Sequence, residues 1–316
     1  MKSILFLIPS LGHGGAEKVL VNLVNNLDSD KYEITLQTLF DQGVNKRYLK
    51  NHIRYKSNFK KMFRGYTQVF KVFSPKLLYK LLIKERYDIV VSYLEGPTAR
   101  ILSGTPYADT KKIAWIHIEQ NNKKIFSHSF KDFDEAVYCY KSFNKIVCVS
   151  ETVREDFIKI SGIRNGISVL YNTNETDEIV EKGKEAIEEG IIKENEINVC
   201  SVAKIMHTKG YDRLARVHKR LLEEGIKHHI YIIGVGEEKD KIKEYLMNNN
   251  LTESFTFLGF KENPYKYVSK CDLYICSSRR EGFSTAVTEA LILGIPVVST
   301  DCSGARELLG QNDEYG

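Results

Sequence analysis

The sequence predicts an α/β protein made of two doubly wound, Rossmann-like domains. Short apolar runs alternate with amphipathic helical stretches, as in parallel sheets covered by helices on both faces. The alternation occurs twice, and the length of 316 residues suits two domains of about 150 residues each. An acidic, polar segment without a strand pattern, Asn172–Asn195, lies between the two sets.

The first set contains six predicted strands. A helix follows the first strand, because apolar residues recur at helical spacing between Val19 and Leu27. The predicted strands are Ser3–Ile8, Glu33–Leu39, Asp88–Tyr93, Lys112–His117, Lys145–Val149 and Ser168–Tyr171.

The second set repeats this pattern after a segment that we interpret as a linker, with or without a surface helix. Its predicted strands are Ile197–Val202, His229–Ile233, Ser254–Leu258, Asp272–Cys276 and Pro296–Ser299. Its predicted helices are Tyr211–Glu224, Lys239–Asn249 and Thr285–Leu293. We therefore place an N-terminal domain at 1–172, a C-terminal domain at 173–316, and a ligand cleft between them.

The composition is that of an ordinary globular chain, with 42% hydrophobic and 28% charged residues. It excludes collagen, low-complexity disorder and a disulfide miniprotein. No apolar window of about 18 residues predicts a transmembrane helix. The first residues favour a buried strand over a signal peptide, because Pro9 interrupts the apolar run. The six cysteines form no CxxC pair, which favours reduced thiols in a cytoplasmic protein.

Positive charge is concentrated in one segment of the chain. The net charge of the whole chain is +5, yet Gln42–Lys84 holds 12 Lys and Arg and no Asp or Glu, interleaved with aromatic residues. We call this the basic segment. Such a segment indicates a phosphate-bearing partner, either nucleic acid, anionic lipid or a polyphosphate. A solvated basic face without a partner is the alternative.

Two loop sequences are candidates for ligand binding, because ligands of open α/β sheets bind beyond the carboxyl ends of the strands. The first is the turn Pro9–Glu17, whose glycines at 12, 14 and 15 flank His13 and precede a helix N-terminus. It is not a GxGxxG fingerprint, so a tight turn without a ligand stays an alternative. The second is Cys276–Ala290, where Glu281 and Glu289 flank backbone N–H groups at a helix start. Carboxylates accept hydrogen bonds from sugar hydroxyls and the helix end accepts phosphate, a combination that suits a nucleotide sugar.

The second loop opens a longer motif, EGFSTAVTEALILGIPVVSTDCSGARELL, in which a Glu, seven residues and a second Glu precede G-x-P-V-V. This resembles the signature of the retaining glycosyltransferases with two Rossmann-like domains, the GT-B architecture of glycosyltransferase group 1, family-four type. Further family landmarks follow in order: Gly14-Gly15-Ala16-Glu17, Trp115-Ile116-His117, Val147–Glu151, Tyr171-Asn172, Lys204, Lys209-Gly210, Ile233–Glu237 and Leu258–Phe260. The resemblance covers nearly the whole chain.

The resemblance implies roles for these residues. Lys204, which stands where the family more often has Arg, and Lys209 would bind the donor diphosphate. Glu281 would contact the donor sugar, Glu289 would hold the ribose hydroxyls, and His117 would reach the transferred sugar. We thus expect catalysis by His117, Glu281 and Lys209, with Lys209, Glu281 and Glu289 converging on one pocket. The implied donor-binding set is completed by Gly14, Gly15, Gly234, Phe260, Gly282, Phe283, Ser284 and Thr285.

The two candidate ligand loops contain no Asp-x-Asp pair and no metal-spaced His/Asp cluster, so we expect transfer without a metal or cofactor. The donor substrate is then a nucleoside-diphosphate sugar, UDP-sugar by family frequency. Family members continue past the equivalent of Gly316, so we expect this chain to be truncated.

The resulting hypothesis is a retaining glycosyltransferase that modifies a glycan or polyprenyl-diphosphate-linked acceptor in surface polysaccharide synthesis. The domain at 1–172 would bind the acceptor, and the domain at 173–316 would bind the nucleotide sugar. The basic segment would then face an anionic membrane, with the enzyme cytoplasmic or peripheral on the inner face of the plasma membrane and without nucleic acid as a partner. Two alternatives stay open: a nucleotide-sugar epimerase of the same fold, and a non-enzymatic binder of membrane or nucleic acid. A nicotinamide dehydrogenase fits poorly, because the first turn lacks GxGxxG.

Overall fold

The computed structural model describes residues 1–12, 14–188, 190–193, 195–302, 304–310 and 312. His13, in the first glycine turn, lies outside the described residues. The chain divides into two compact units, Met1–Thr173 and Asn174–Gly316. The assignment of acceptor binding to one and of donor binding to the other stays a prediction.

The first unit is built on a seven-stranded parallel sheet in the order β3-β2-β1-β4-β5-β6-β7. The strands are β1 (Lys2–Ile8), β2 (Tyr32–Phe40), β3 (Arg54–Phe59), β4 (Ile89–Ser92), β5 (Lys111–Ile116), β6 (Lys145–Cys148) and β7 (Ile167–Val169). The helices are α1 (Gly15–Asn26), α2 (Tyr66–Val72), α3 (Pro75–Leu82), α4 (Pro97–Ser103), α5 (Lys123–Phe126), α6 (Phe133–Lys141) and α7 (Glu151–Ser161).

The second unit has a five-stranded parallel sheet in the order β10-β9-β8-β11-β12. The strands are β8 (Ile197–Val202), β9 (His228–Ile233), β10 (Phe255–Gly259), β11 (Leu273–Cys276) and β12 (Val297–Ser299). The helices are α8 (Thr176–Gly183), α9 (Tyr211–Glu223), α10 (Lys239–Asn248), α11 (Tyr265–Val268), α12 (Thr285–Ile292) and α13 (Ala305–Leu309). A short 3₁₀ helix, His207–Lys209, precedes α9.

In each sheet, later strands are added on both sides of the first strand. In the first sheet β1 pairs with both β2 and β4, and in the second β8 pairs with both β9 and β11. The direction of growth therefore reverses between β1 and β4, and between β8 and β11. Such reversal points leave a crevice at the carboxyl ends of the strands, where open α/β sheets bind their ligands.

The central strands read as continuous apolar runs because helices cover both faces of each sheet. In β1 every residue from Ile4 to Ile8 is buried, and in β9 all six residues are buried. Helices α1 and α9 contribute buried apolar residues to their cores, including Leu20 and Leu214. All six cysteines are free thiols, and Cys302 alone is more than marginally exposed.

Two elements differ from the sequence expectation. Strand β3 was not predicted, because RYKSNF has no apolar run, and its residues are mostly half-buried beside β2. For the segment Asn172–Asn195 the sequence does not distinguish a linker from a surface helix, and the segment contains α8. In the described part of the chain, no helix combines the length and the apolar character needed to span a membrane.

Candidate functional site

The loops after β8 and β11 meet at the reversal point of the second sheet. The first loop carries the predicted residues Lys204 and Lys209, and the second carries Glu281. Ser277 Oγ donates a hydrogen bond of 2.8 Å to the carbonyl of Lys209, and the backbone N–H of Arg279 donates one of 2.7 Å to the carbonyl of Thr208. These contacts join the two loops without involving the side chains of Lys204, Lys209 or Glu281.

Gly210 makes this close approach possible. Its φ is +68°, and a Cβ at this position would lie 2.0 Å from the carbonyl oxygen of Ser277. Glycine removes both the left-handed strain and the clash. The glycine that follows Lys209 in the sequence is therefore required by the contact between the loops.

An ion pair that the sequence did not identify reinforces this contact. Arg279 lies two residues before Glu281, and its guanidinium donates to both carboxylate oxygens of Asp212, over 2.6 and 2.7 Å. The Arg279 guanidinium holds the pKa of the Asp212 carboxyl well below its usual range. Arg279 also donates to the carbonyl of His207 over 2.8 Å, so it binds the start of α9 to the loop after β11.

Lys209 and Glu281, both predicted as catalytic, contact each other. The Lys209 Nζ lies 2.5 Å from Glu281 Oε1, which also accepts a 2.6 Å hydrogen bond from Ser278 Oγ. The side chains are 24% and 12% exposed, so the pair is shielded but reachable from solvent. A cation held in this way beside a carboxylate can bind an anionic ligand while the carboxylate binds hydroxyls.

Glu289 lies in a separate contact of the same unit. It belongs to α12 and is 9% exposed, and its Oε1 accepts a 2.9 Å hydrogen bond from the hydroxyl of Tyr265 in α11. Burial, together with the charge of Glu289, raises the pKa of Tyr265. The tyrosine hydroxyl therefore stays protonated and donates its hydrogen bond to Glu289. Lys204 is exposed and forms no ion pair with a described residue.

The predicted turn Gly282–Thr285 forms the N-terminus of α12. Ser284 caps the helix by accepting from the backbone N–H of Val287, and Thr285 is the first helical residue. A Cβ on Gly304, whose φ is +77°, would lie 2.6 Å from the Gly282 carbonyl, so the segment after β12 packs closely on this turn.

The other predicted glycine turn of this unit, after β9, has a structural role. Gly234 has a φ of +149°, and a Cβ there would lie 2.0 Å from the carbonyl of Ala203, beside Lys204. Its N–H donates to the carbonyl of Gly259 over 2.8 Å. Phe260, the next residue, is 46% exposed. These residues support the loop that carries Lys204.

The remaining predicted residues lie in the first unit. Gly14 is the N-cap of α1, Gly15 is its first residue, and the Glu17 carboxylate lies where a Cβ on Gly14 would be. His117 follows β5, and its backbone N–H donates to Glu95 Oε2 over 3.0 Å. Burial lowers the pKa of His117 to about 3, so the imidazole is neutral at pH 7.

Comparison with known proteins places the chain in a family. Residues 13–178 match the model described as Glycosyltransferase Family 4, and residues 182–315 match the model described as Glycosyl transferases group 1. The chain belongs to the group 1, family 4 glycosyltransferases. The predicted glycosyltransferase identity is thereby confirmed at the level of the family, in both units.

The chain covers different shares of the length of its curated relatives. A glycosyltransferase of Methanocaldococcus jannaschii is 29% identical over 74% of this chain, which spans 61% of that relative's length. A Campylobacter jejuni enzyme is 28% identical over 100% of this chain and 85% of its own length. It is named N-acetylgalactosamine-N,N'-diacetylbacillosaminyl-diphospho-undecaprenol 4-alpha-N-acetylgalactosaminyltransferase. An Escherichia coli relative, UDP-Gal:alpha-D-GlcNAc-diphosphoundecaprenol alpha-1,3-galactosyltransferase, is 25% identical over 72% of this chain and 61% of its own length.

Solved structures confirm the predicted GT-B fold. HepE of Anabaena, in complex with UDP and glucose, has a TM-score of 0.76 at 20% identity, covering 97% of this chain and 83% of HepE. TarM of S. aureus has a TM-score of 0.74 at 14% identity, covering 98% of this chain and 87% of TarM.

Three residues of the candidate site escaped sequence reasoning. The sequence assigns no role to Asp212 or Arg279, because their contact joins the first turn of α9 to a loop 67 residues away in the chain. Tyr265 does not belong to any of the sequence motifs described above. One signal was available for Arg279, its place in the same loop as Glu281. In the described part of the chain, no three His, Cys, Asp or Glu side chains are grouped as a metal site would need.

Proposed function

We propose that this glycosyltransferase moves a sugar, with retention at the anomeric carbon, from a UDP-sugar to a polyprenyl-diphosphate-linked glycan. The ion pair of Lys209 and Glu281 at the reversal point of the second sheet carries the proposal. It sets a cation and a carboxylate side by side where ligands of this fold bind. A nucleoside-diphosphate sugar offers a diphosphate to the cation and sugar hydroxyls to the carboxylate.

Lys209 is the group best placed to stabilise the leaving nucleoside diphosphate. Negative charge builds on the diphosphate as the bond to the sugar breaks, and a preorganised cation lowers the energy of that state. Glu281 and the loop contacts through Gly210 hold the lysine before the donor arrives, so little reorganisation is needed. The N-terminus of α12 adds the positive end of a helix dipole.

Glu289 is proposed to bind the ribose hydroxyls of the donor. Its carboxylate is nearly buried, and the Tyr265 hydroxyl fixes its orientation. A buried carboxylate that already accepts one hydrogen bond can accept others from a diol, since it has about four lone-pair sites.

The names of the relatives support the donor and the acceptor. One relative acts on a diphospho-undecaprenol substrate, another is named for UDP-Gal and a diphosphoundecaprenol acceptor, and HepE binds UDP. By analogy we assign a UDP-sugar and a lipid-linked glycan to this chain, without a cofactor. We place the reaction in surface polysaccharide synthesis.

The basic segment is proposed to hold the enzyme on an anionic membrane surface, where such an acceptor resides. Its acidic neighbours neutralise cations only in its first part: Asp41 pairs with Lys46, and Glu85 pairs with Arg54 and Lys56. Within the described residues, no ion pair involves the exposed basic side chains from Lys60 onward. These are Lys60, Lys61, Arg64, Lys76, Lys80 and Lys84.

Exposed apolar side chains lie among these cations. They are Met62 (45% exposed), Phe63 (36%), Val69 (45%), Val72 (76%), Phe73 (36%), Leu77 (41%) and Leu81 (47%). We call them the apolar patch. Not all of the aromatic residues of the basic segment are exposed, because Phe59, Tyr66 and Phe70 pack against Phe40 and each other. The patch is therefore mostly aliphatic.

The end of α2, which carries part of the apolar patch, is anchored to the first unit. Arg100, which is fully buried, donates to the carbonyls of Phe70 and Phe73 over 2.7 and 2.8 Å and pairs with Glu135. These contacts fix the C-terminal end of α2. A surface that combines unpaired cations with apolar side chains fits the interface of an anionic bilayer.

The test of the reaction uses the full chain with UDP-sugars and a short-chain polyprenyl-diphosphate glycan. We expect calorimetric binding of UDP, transfer of one sugar, and product of the same anomeric configuration as the donor by NMR. Lys209→Ala should abolish transfer, whereas Lys219→Ala, which removes a lysine from a surface ion pair of the same unit, should leave it unchanged. Binding of another nucleotide class, or equal transfer by both variants, would contradict the proposal.

A further inference from the structure

Three polar atoms in the first unit are buried without a hydrogen-bond partner among the described residues. They are the Tyr93 hydroxyl, Trp115 Nε1 and His117 Nε2. The three rings form one cluster, with centroids 5.0 Å apart for Tyr93 and Trp115, 4.7 Å for Tyr93 and His117, and 6.2 Å for Trp115 and His117. Buried polar groups in proteins are normally paired, so three unpaired groups in one cluster indicate a missing partner.

The cluster lies where this fold binds ligands. Tyr93 directly follows β4 and His117 directly follows β5, at the carboxyl edge of the sheet next to β1. This is the reversal point of the first sheet. The Glu17 carboxylate, which lies against Gly14, adds to the effect of burial in raising the pKa of Tyr93, so the glycine turn after β1 faces the same cluster.

The hydrogen-bonding capacity of the cluster selects one kind of group. Trp115 Nε1 can only donate, and the Tyr93 hydroxyl can donate or accept. Burial keeps the His117 ring neutral at pH 7, so its unpaired Nε2 either accepts or donates a hydrogen bond, according to which ring nitrogen carries the proton.

A group that pairs with Trp115, and with His117 in either tautomer, must be able both to accept and to donate a hydrogen bond. Carboxylates and phosphate diesters have no proton to offer at neutral pH, and an ammonium group has no lone pair. A hydroxyl does both, and a sugar ring also packs its C–H face against aromatic rings.

We propose that Tyr93 and Trp115 bind a hydroxyl of a sugar substrate and hold it against His117. The inference rests on the proposed function for the origin of that sugar, which is either the transferred sugar of the donor or the terminal sugar of the acceptor. It adds two binding residues to the site, one in β5 and one just after β4.

Trp115 is the only tryptophan in the sequence, so its emission reports on the cluster directly. The probes are glucose, galactose, GlcNAc and GalNAc, each added to the full chain as the free sugar and as the UDP derivative, with UDP alone as the reference. We expect a saturable change in emission with at least one sugar that UDP alone does not cause. Tyr93→Phe should weaken the binding of that sugar about three- to tenfold, as expected for the loss of one neutral hydrogen bond.

Tyr79→Phe is the matched control, because its hydroxyl is also buried and unpaired but lies in α3, outside the cluster. Thermal melting should show neither variant to be less stable than the parent, since each loses only an unpaired group. Absence of a saturable change with all eight probes, or equal affinities in Tyr93→Phe and Tyr79→Phe, would overturn the inference.

Steady-state kinetics distinguishes a sugar of the donor from a sugar of the acceptor. It also distinguishes failure of the cluster inference from failure of the proposed function. Tyr93→Phe and Trp115→Phe should raise KM for the donor if the hydroxyl is on the transferred sugar, and KM for the acceptor if it is on the acceptor. If the parent transfers sugar and both KM values stay within twofold in both variants, the cluster inference is wrong and the proposed function stands. If emission responds to sugar through Tyr93 but no transfer occurs, the inference stands and the proposed function fails.

Discussion

Lys209 and Glu281, separated by 72 positions in the sequence, form an ion pair of 2.5 Å between the loops that follow β8 and β11. The pair depends on the backbone contact at Gly210 and on the Arg279–Asp212 ion pair beside it. The charges of the proposed donor site are therefore held by structure that contacts no substrate.

Glu281→Ala should lower kcat on the order of a hundredfold or more, as removal of a single preorganised polar group from an active site does. Glu281 is proposed to contact the sugar near the reacting carbon and to position Lys209, so turnover should suffer at least as much as donor affinity. Transfer kinetics and calorimetry with the same UDP-sugar measure the two effects. Ser278→Ala, which removes only the hydroxyl bound to Glu281, is the milder control. A parental kcat in Glu281→Ala would refute its role.

Glu289→Ala should weaken UDP-sugar binding by about 1.5–3 kcal/mol, the usual range for hydrogen bonds to a charged group. Tyr265→Phe should weaken it less, because it leaves the carboxylate in place and removes only its orienting hydrogen bond. Calorimetric titration with UDP and UDP-sugar measures both. If Glu289→Ala binds as tightly as the parent, Glu289 is structural and does not bind ribose.

Gly210→Ala should destabilise the protein by more than Gly225→Ala, which is matched to it in backbone conformation. Both glycines have positive φ, +68° and +84°, so each alanine meets a left-handed penalty of about 1 kcal/mol. Only at Gly210 does the new Cβ also collide with backbone, the Ser277 carbonyl, whereas nothing lies within 4 Å at Gly225. Urea denaturation measures the difference, and only Gly210→Ala should also lose UDP binding. Equal losses of stability would show that the loops can separate at no cost.

The strands, the two-domain division and the motif residues could be predicted because each has a local signal. Buried parallel strands such as β9 are continuous apolar runs, and Glu281 and Glu289 stand at fixed spacing in one motif. Strand β3 has no such signal, since its stability comes from pairing with β2. The partners of the motif residues are likewise set by tertiary contacts: nothing in the local sequence around Tyr265 indicates that its hydroxyl reaches Glu289.

The second unit should lose stability as the pH falls from about 6.5 to 4, because its core contains uncharged histidines. His228 Nδ1 faces the Ile226 carbonyl and must donate, so its Nε2 accepts from His218 Nδ1–H over 2.8 Å, and His218 Nε2 accepts from Ser254. Burial lowers the pKa of His218 to about 4, and that of His229 to about 4 as well.

The unfolded chain takes up these protons near pH 6.5 and the folded one only near pH 4, so the unfolded state binds more protons between the two values. The free energy of unfolding is then complete above pH 6.5 and falls by up to about 3 kcal/mol per histidine as the pH reaches 4. Urea denaturation at pH 7.5, 6, 5 and 4 measures this. His229→Gln should reduce the slope, whereas His207→Gln, at an exposed position, should not. An unchanged slope in His229→Gln would contradict the linkage.

The basic segment should bring the protein onto vesicles in proportion to their anionic lipid. Each cation near such a surface contributes up to about 1 kcal/mol before screening, so neutralising Lys60, Lys61 and Arg64 as glutamines should weaken binding on the order of tenfold or more. Binding should fall with salt. Replacing Val72 and Leu81 with serine should weaken it further and independently of salt, because these exposed side chains of the apolar patch would enter the interface.

The matched control for charge is a triple glutamine variant at Lys141, Lys145 and Lys159, three exposed lysines of the same unit outside the basic segment. It loses as much charge, so binding that depends on net charge alone would fall equally in both triple variants. Flotation with vesicles of graded anionic content, at low and high salt, distinguishes the cases. Equal binding to neutral and anionic vesicles would refute the electrostatic contribution. Tight binding to RNA with none to vesicles would assign the basic segment to nucleic acid instead, because phosphate charge alone attracts the same cations in both partners.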